Sequence, residues 1–242
     1  MAEMKPTVVT AIVALDYPSA KAAMTLVDRL GDRCRFYKVG NELFTSAGPE
    51  IVTRLRDRGA EVFLDLKFHD IPNTVAGGVR AAAALGVRLT TVHASGGSAM
   101  LRAAVAAAGD QSHCGIMAVT ALTSLSAADI EASWGRPQGS VDVIVEVVRL
   151  AGVAAASGAH GIVCSGLEAA AVRSAHGGGL ALLIPGVRPA GLEAQDQARV
   201  VTPRQAVKAG ASYIILGRAV TSASDPADAM EQINLEIASV AG

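Results

Sequence analysis

The chain has 242 residues, of which 51% are hydrophobic, 18% charged and only 3% aromatic, and its formal net charge is −1. So high an apolar fraction excludes a disordered chain. A near-neutral, aromatic-poor chain also lacks the basic surface and stacking rings that nucleic-acid binding calls for.

One unit recurs along the chain: a short β-branched run, a turn, then an Ala-rich amphipathic stretch. In chain order, strand Val8–Leu15 precedes helix Ser19–Leu30, and Phe36–Val39 precedes Pro49–Arg58. Glu61–Leu66 precedes Asn73–Leu85, and Arg88–Val92 precedes Gly97–Ala108. Gly115–Thr120 leads to Val141–Ala156, and Gly161–Val163 to Gly166–Ala175. Ala181–Ile184 leads to Pro203–Ala209, and Tyr213–Leu216 to Ala227–Val240. The strands are short and apolar on both faces, as in a covered parallel sheet. Ser19 reads as an N-cap. Gly59, Gly86, Gly109, Gly158 and Gly210 each follow a helical run, where a left-handed C-cap favours glycine.

Eight such units predict a (β/α)8 barrel, a TIM barrel, as a single domain over residues 1–242. A doubly wound sheet would carry a Gly-rich phosphate turn after its first strand. Here that turn reads LDYPS. The connection from Gly186 to Thr202 is long and aperiodic, as binding loops tend to be.

Cys34, Cys114 and Cys164 are too scattered for a disulfide framework or a zinc site, and read as buried hydrophobes in a cytoplasmic protein. The N-terminal MAEMKPTVVTAIVALD lacks a basic start and a cleavage site. Two charge-free windows, Gln111–Ala128 and Leu150–Leu167, contain Gly, Ser and His and read as strands joined to helices rather than membrane spans.

In a barrel, chemistry sits where strands end and βα loops begin. Those positions hold Asp16, Lys38, Asp65, Lys67 and Asp70, then His93, Thr120–Ser124, PGVR and Gly217–Arg218. Asp65 and Lys67 are two apart, which on a regular strand places both on one face. Asp16 and Lys38, on neighbouring strands, reach the same place. Four charges in a confined mouth must pair with each other, since burying one alone costs several kcal/mol. Flanking carboxylates favour the ammonium form of Lys67, which suits a proton donor or an electrostatic clamp better than a Schiff base. A substrate carboxylate beside Asp65 or Asp70 would be repelled, and loss of CO2 would relieve that repulsion. Gly186–Val187–Arg188 and Gly217–Arg218 follow the two strands whose loops usually form the phosphate pocket of barrel enzymes.

DLKFHDIPNTV (Asp65–Val75) resembles the signature of the orotidine 5′-phosphate decarboxylase family. ALDYPS, YKVGNELF, VHASGG, ALTS, IPGVRP, DQARVVTP and IILGRAV follow that family's order along nearly the whole chain, closest to its bacterial branch. The resemblance implies conversion of orotidine 5′-phosphate to UMP and CO2 with no metal and no organic cofactor. It implies a homodimer with shared active sites. Lys67 matches the lysine that protonates C6, and Asp65 the carboxylate facing the departing CO2. Asp70 and Thr74 match residues supplied across the dimer interface. Asp16 and Lys38 match the groups on the ribose hydroxyls, and Thr123 a residue near the pyrimidine amide edge. Arg188 and Gln197 match the loop that grips the phosphate, and Gly217 and Arg218 its remaining contacts.

The chain departs from the pattern at Thr91 and Ala121, where Asn and Val are frequent; neither is expected to touch a charged role. Rival readings are a Mg2+-dependent 3-keto-L-gulonate 6-phosphate decarboxylase, a phosphosugar isomerase and a phosphate-binding barrel without catalysis. The first calls for a carboxylate ligand on the second strand, where Lys38 stands. Arg54, Arg56 and Arg58 read as solvated helix charges, His113, His160 and His176 as incidental, and His69 as a neighbour of the site. Trp134 reads as a packing anchor in a loop-like SWGRPQG.

Overall fold

The computed structural model describes residues 9–109, 114–189 and 200–241. Eight strands close into a barrel, each parallel to the next and the last parallel to the first. They are β1 Thr10–Ala14, β2 Phe36–Gly40, β3 Glu61–Phe68 and β4 Leu89–His93, then β5 Gly115–Val119, β6 Gly161–Val163, β7 Ala181–Ile184 and β8 Tyr213–Leu216. Closure leaves no strand edge open to another chain. The TIM-barrel expectation is met.

The expected helices are present as α1 Ala20–Leu30, α3 Glu50–Arg56, α4 Pro72–Ala84 and α5 Gly97–Ala108, and as α7 Val143–Ala156, α8 Gly166–His176, α9 Pro203–Lys208 and α11 Pro226–Ala241. Three more occupy stretches read as connections: α2 Asn41–Ala47, α6 Ala127–Trp134 and α10 Arg218–Thr221. All three are short, and each begins within a βα connection. Such segments carry too few turns to show a 3.6-residue period. Trp134 therefore ends a helix rather than sitting in a loop, and its side chain is partly exposed.

Local chemistry places the helix starts. The Ser19 hydroxyl caps α1 by accepting from the Ala22 N–H at 3.3 Å. Ser126 with Asp129, Ser165 with Glu168 and Thr202 with Gln205 form reciprocal capping boxes on α6, α8 and α9. The five glycines expected at C-caps all have positive φ, from 69° to 85°. The window Leu150–Leu167 runs through α7, β6 and the start of α8, and no helix of the described residues is long and apolar enough to cross a membrane. The three cysteines are buried and free.

Two apolar layers follow from strand alternation. Outward strand residues such as Ile214 pack against the helices, whose Leu30, Leu55 and Leu101 are fully buried with it. Inward residues fill the lumen: Ile12, Ala14, Phe36, Phe63, Leu89, Met117, Leu183 and Ile215. On β1, β2 and β3 the inward series continues upward into charge. Ala14 is followed by Asp16, Phe36 by Lys38 and Phe63 by Asp65. The apolar plug thus forms the floor of the charged mouth.

The lumen has little spare room. A Cβ at Gly161 on β6 would stand 2.3 Å from the Ala181 carbonyl oxygen and 2.8 Å from the Met117 methyl. Gly161→Ala should destabilise the barrel by about 1–3 kcal/mol through overpacking, read as a lower midpoint in urea denaturation with an unchanged m-value.

Candidate active site

One cavity of about 520 Å3 opens at the C-terminal ends of the strands. Asp16, Lys38, Asp65, Lys67, Thr123, Arg188, Gly217 and Arg218 all line it. Sequence positions that lie more than two hundred residues apart meet here because each follows the end of a barrel strand.

The charges form a continuous chain. Lys38 Nζ donates to Asp16 Oδ1 at 2.7 Å and lies 3.9 Å from Asp65 Oδ2. Lys67 Nζ donates to the same Asp65 oxygen at 2.8 Å. Asp16 is exposed, whereas the side chains of Lys38 and Asp65 are only 12% and 11% accessible. The expectation that the four charges pair with each other is met. Gly40, at the end of β2, makes room for the first pair. A Cβ there would be 3.0 Å from Lys38 Nζ and 3.3 Å from Asp16 Oδ1.

Plain strand alternation does not place Lys67. Its φ is +52°, the sole positive value at a non-glycine position among the described residues. The β3–β4 register shifts between Leu64 and Phe68. Leu64 pairs with Thr90 and Phe68 with Val92, so Asp65, Leu66 and Lys67 together face the single residue Thr91. This bulge re-aims the Lys67 side chain at Asp65, and a left-handed residue with a side chain costs about 1–2 kcal/mol.

Thr91 also overturns an expectation, for it does touch the charged groups. Its hydroxyl accepts the Lys67 backbone N–H at 2.8 Å and donates to Asp65 Oδ1 at 3.0 Å. Its residue type gave no warning, because a threonine inside a strand is ordinary β chemistry.

The other end of the cavity holds two arginines. Arg188, after β7, and Arg218, at the start of α10, line it together, and burial, with the Arg218 charge adding to it, lowers the Arg188 pKa. Two guanidiniums lining one cavity offer planar donors for an anion. The stem of this loop is tied by a parallel bridge between Val187 and Val201, with the Arg188 N–H donating to the Val201 carbonyl at 3.0 Å. Gln197 lies outside the described residues, as does His113.

Asp70 and Thr74 are exposed and stand outside the cavity lining. Asp70 Oδ1 accepts from the Ile71 N–H at 2.6 Å, and Ile71 is itself 67% exposed. His69 stacks on His93 with ring centroids 5.2 Å apart, which keeps it beside the site. Of the three histidines read as incidental, the two among the described residues have polar neighbours. His160 meets the Tyr213 hydroxyl at 3.4 Å, and His176 the Val148 carbonyl at 3.0 Å. Arg58 pairs with Asp28 at 3.0 Å on the outer surface.

The pattern of the orotidine 5′-phosphate decarboxylase / HUMPS family matches residues 10–233. The chain belongs to that family. An orotidine 5′-phosphate decarboxylase of Halorhodospira halophila (strain DSM 244 / SL1) is 52% identical over 230 residues, 94% of this chain and 95% of the relative. That of Pseudomonas fluorescens (strain SBW25) is 48% identical over 229 residues, 94% of this chain and 97% of the relative. The crystal structure of the orotidine 5′-phosphate decarboxylase from Lactobacillus acidophilus superimposes with a TM-score of 0.82 at 38% identity, covering 95% of this chain and 99% of that one. Family membership accounts for the agreement between the sequence motifs and the positions they take at the barrel mouth.

Burial, the His69 ring and the Lys67 ammonium all hold the His93 pKa below its usual value. Its neutral form therefore stabilises the fold at pH above the unfolded pKa of about 6.5, and that contribution is lost as pH falls below it. His160, lowered mainly by its own burial, adds in the same sense. The melting temperature should fall as pH drops from about 6.5 toward 5, and His93→Gln should flatten that part of the profile.

Proposed function

We propose that residues 1–242 act as one barrel domain that decarboxylates orotidine 5′-phosphate to UMP and CO2, the last step of de novo pyrimidine synthesis, without metal or organic cofactor. Family membership supports the reaction class. The observation that carries the reading is the ion-pair chain from Asp16 through Lys38 and Asp65 to Lys67, in the same cavity as Arg188 and Arg218.

In this reading Arg188, Gln197, Gly217 and Arg218 hold the phosphate, and Asp16 and Lys38 hold the ribose hydroxyls. Thr123 faces the amide edge of the pyrimidine. The substrate carboxylate then lies against Asp65. The bond from C6 to the carboxyl carbon breaks heterolytically, CO2 leaves, and the electron pair remains on C6. The Lys67 ammonium gives its proton to C6, and the resulting amine is reprotonated from solvent. Loss of the carboxylate charge relieves repulsion with Asp65, while the ammonium stabilises the developing carbanion. Both effects are stronger in the transition state than in the ground state, which is the condition for raising kcat. Binding energy from the phosphate, far from C6, drives the carboxylate into that place.

The working enzyme in this reading is a homodimer. Asp70 and Thr74 are exposed and do not line their own cavity, and they adjoin the exposed Ile71. Such a cluster suits delivery across a twofold interface, with Asp70 of the partner subunit completing the carboxylate pair at C6.

The change in ultraviolet spectrum as orotidine 5′-phosphate loses its C6 carboxylate and becomes UMP tests the reaction, and turnover undiminished by EDTA separates it from a Mg2+-dependent alternative. Lys67→Ala should abolish turnover while the circular dichroism spectrum is kept; substantial residual turnover would remove Lys67 as the proton donor. Arg218→Ala should lower kcat/KM by roughly two orders of magnitude or more, and wild-type efficiency would refute the phosphate assignment. Mixing inactive Lys67→Ala and Asp70→Asn homodimers should restore about one quarter of wild-type activity, because heterodimers carry one intact site. No recovery after verified subunit exchange would place Asp70 in its own subunit's site or in none.

A further inference from the structure

Between Leu64 and Phe68 the β3–β4 ladder is interrupted, and three residues of β3 face one residue of β4. Backbone groups released by such a bulge need other partners, because a buried N–H left without one costs about 1–3 kcal/mol. Two adjacent threonines on β4 supply bonds here. The Thr90 hydroxyl donates to the Leu64 carbonyl at 3.0 Å, and the Thr91 hydroxyl accepts the Lys67 N–H at 2.8 Å. Both threonines are fully buried.

They differ in what else they hold. Thr90 bonds only backbone in this pairing, whereas Thr91 also donates to Asp65 Oδ1 at 3.0 Å. One hydroxyl thereby fixes two features of the charge array. It restrains the left-handed Lys67 backbone, and it occupies one oxygen of Asp65 so that the other, Oδ2, faces Lys67 at 2.8 Å and Lys38 at 3.9 Å. A hydroxyl has one proton to give and lone pairs to accept with, so it can serve both groups at once. Branching at Cβ restricts the rotamer that aims it. Valine has the same shape and neither capacity.

We infer that Thr91 is a positioning residue for the reaction, setting the direction of the Asp65 carboxylate and the Lys67 ammonium from behind the cavity lining. The inference rests on the decarboxylase reading for its kinetic consequence, and on geometry alone for its structural one. Thr91 has no place in the cavity lining, so it acts through its two neighbours and not on substrate.

Thr91→Val, Thr91→Ser and Thr90→Val, compared with the wild type, test it. Thr91→Val should lower kcat on orotidine 5′-phosphate by about 100-fold, the scale of an ångström of misplacement. The affinity for UMP, which has no carboxylate at C6 and is held in this reading by phosphate and ribose contacts, should change less than about threefold. Thr91→Ser should recover most of kcat. Thr90→Val, which breaks a bond of the same bulge on the opposite face, should lower the melting temperature with kcat near wild type. A purely structural role for Thr91 predicts the reverse pattern, a lower melting temperature with kcat retained well below it, and that result would overturn the inference. Failure of Thr91→Ser to recover kcat would overturn it as well.

If Thr91→Val does not fold, Thr91→Cys preserves the volume with a much weaker donor; it should lose kcat while UMP still binds, and wild-type kcat in that variant would overturn the inference. If the wild type itself fails to decarboxylate orotidine 5′-phosphate, the functional reading falls. Crystal structures of the wild type and the variant then decide the positioning role: it stands if the Lys67 Nζ to Asp65 Oδ2 contact opens in the variant, and falls if the contact is unchanged.

Discussion

The Asp65 carboxylate is the constraint on which the site depends. It is almost buried, and a carboxylate removed from water without partners would cost several kcal/mol. Two lysines and a threonine hydroxyl surround it. Each of those partners is in turn constrained. Lys38 is shared with Asp16, Lys67 takes a left-handed backbone, and Thr91 lies under the strand bulge that makes that backbone possible. The array is fixed before substrate arrives, so little reorganisation is left for the moment when charge shifts at the reacting carbon.

The rest of the barrel mouth is arranged around that array. The apolar lumen ends in a floor built from inward residues of the strands, and the charged residues are the next inward positions on β1, β2 and β3. Arginines stand on the far side, after β7 and β8, and share the cavity with the Asp–Lys chain. One end holds the Asp–Lys chain and the other the two arginines. A near-neutral chain that is only 18% charged therefore gathers opposed clusters at one opening.

Much of this was legible along the chain because the repeating unit is regular. The strands at Gly161–Val163, Ala181–Ile184 and Tyr213–Leu216 stand where β-branched runs place them, and the C-cap glycines all have the left-handed backbone their positions called for. The capping boxes are equally local: a hydroxyl residue three before Asp, Glu or Gln. The helices α2, α6 and α10 were not legible, since each is a short extra helix inside a βα connection, outside the repeat of one strand and one helix. The motif around Asp65–Val75 identified the charged residues by kind and order, and the sequence also carried the separation of the Asp–Lys cluster from the two Gly/Arg clusters.

By itself the sequence determined the barrel, its helix caps and the set of polar groups at the strand ends, because these rest on local chemistry and on a hydrophobic pattern that repeats. Tertiary structure alone decided how two of those groups meet. Period-2 alternation would put Asp65 and Lys67 side by side on a flat strand, yet they meet across a bulge with Lys67 at positive φ. The residue that supports that bulge, Thr91, is 24 positions from Lys67. It resembled any other strand threonine until the register shift set its hydroxyl opposite a backbone N–H and a buried carboxylate. Register between neighbouring strands is a property of the closed sheet, and no single stretch of the chain encodes it.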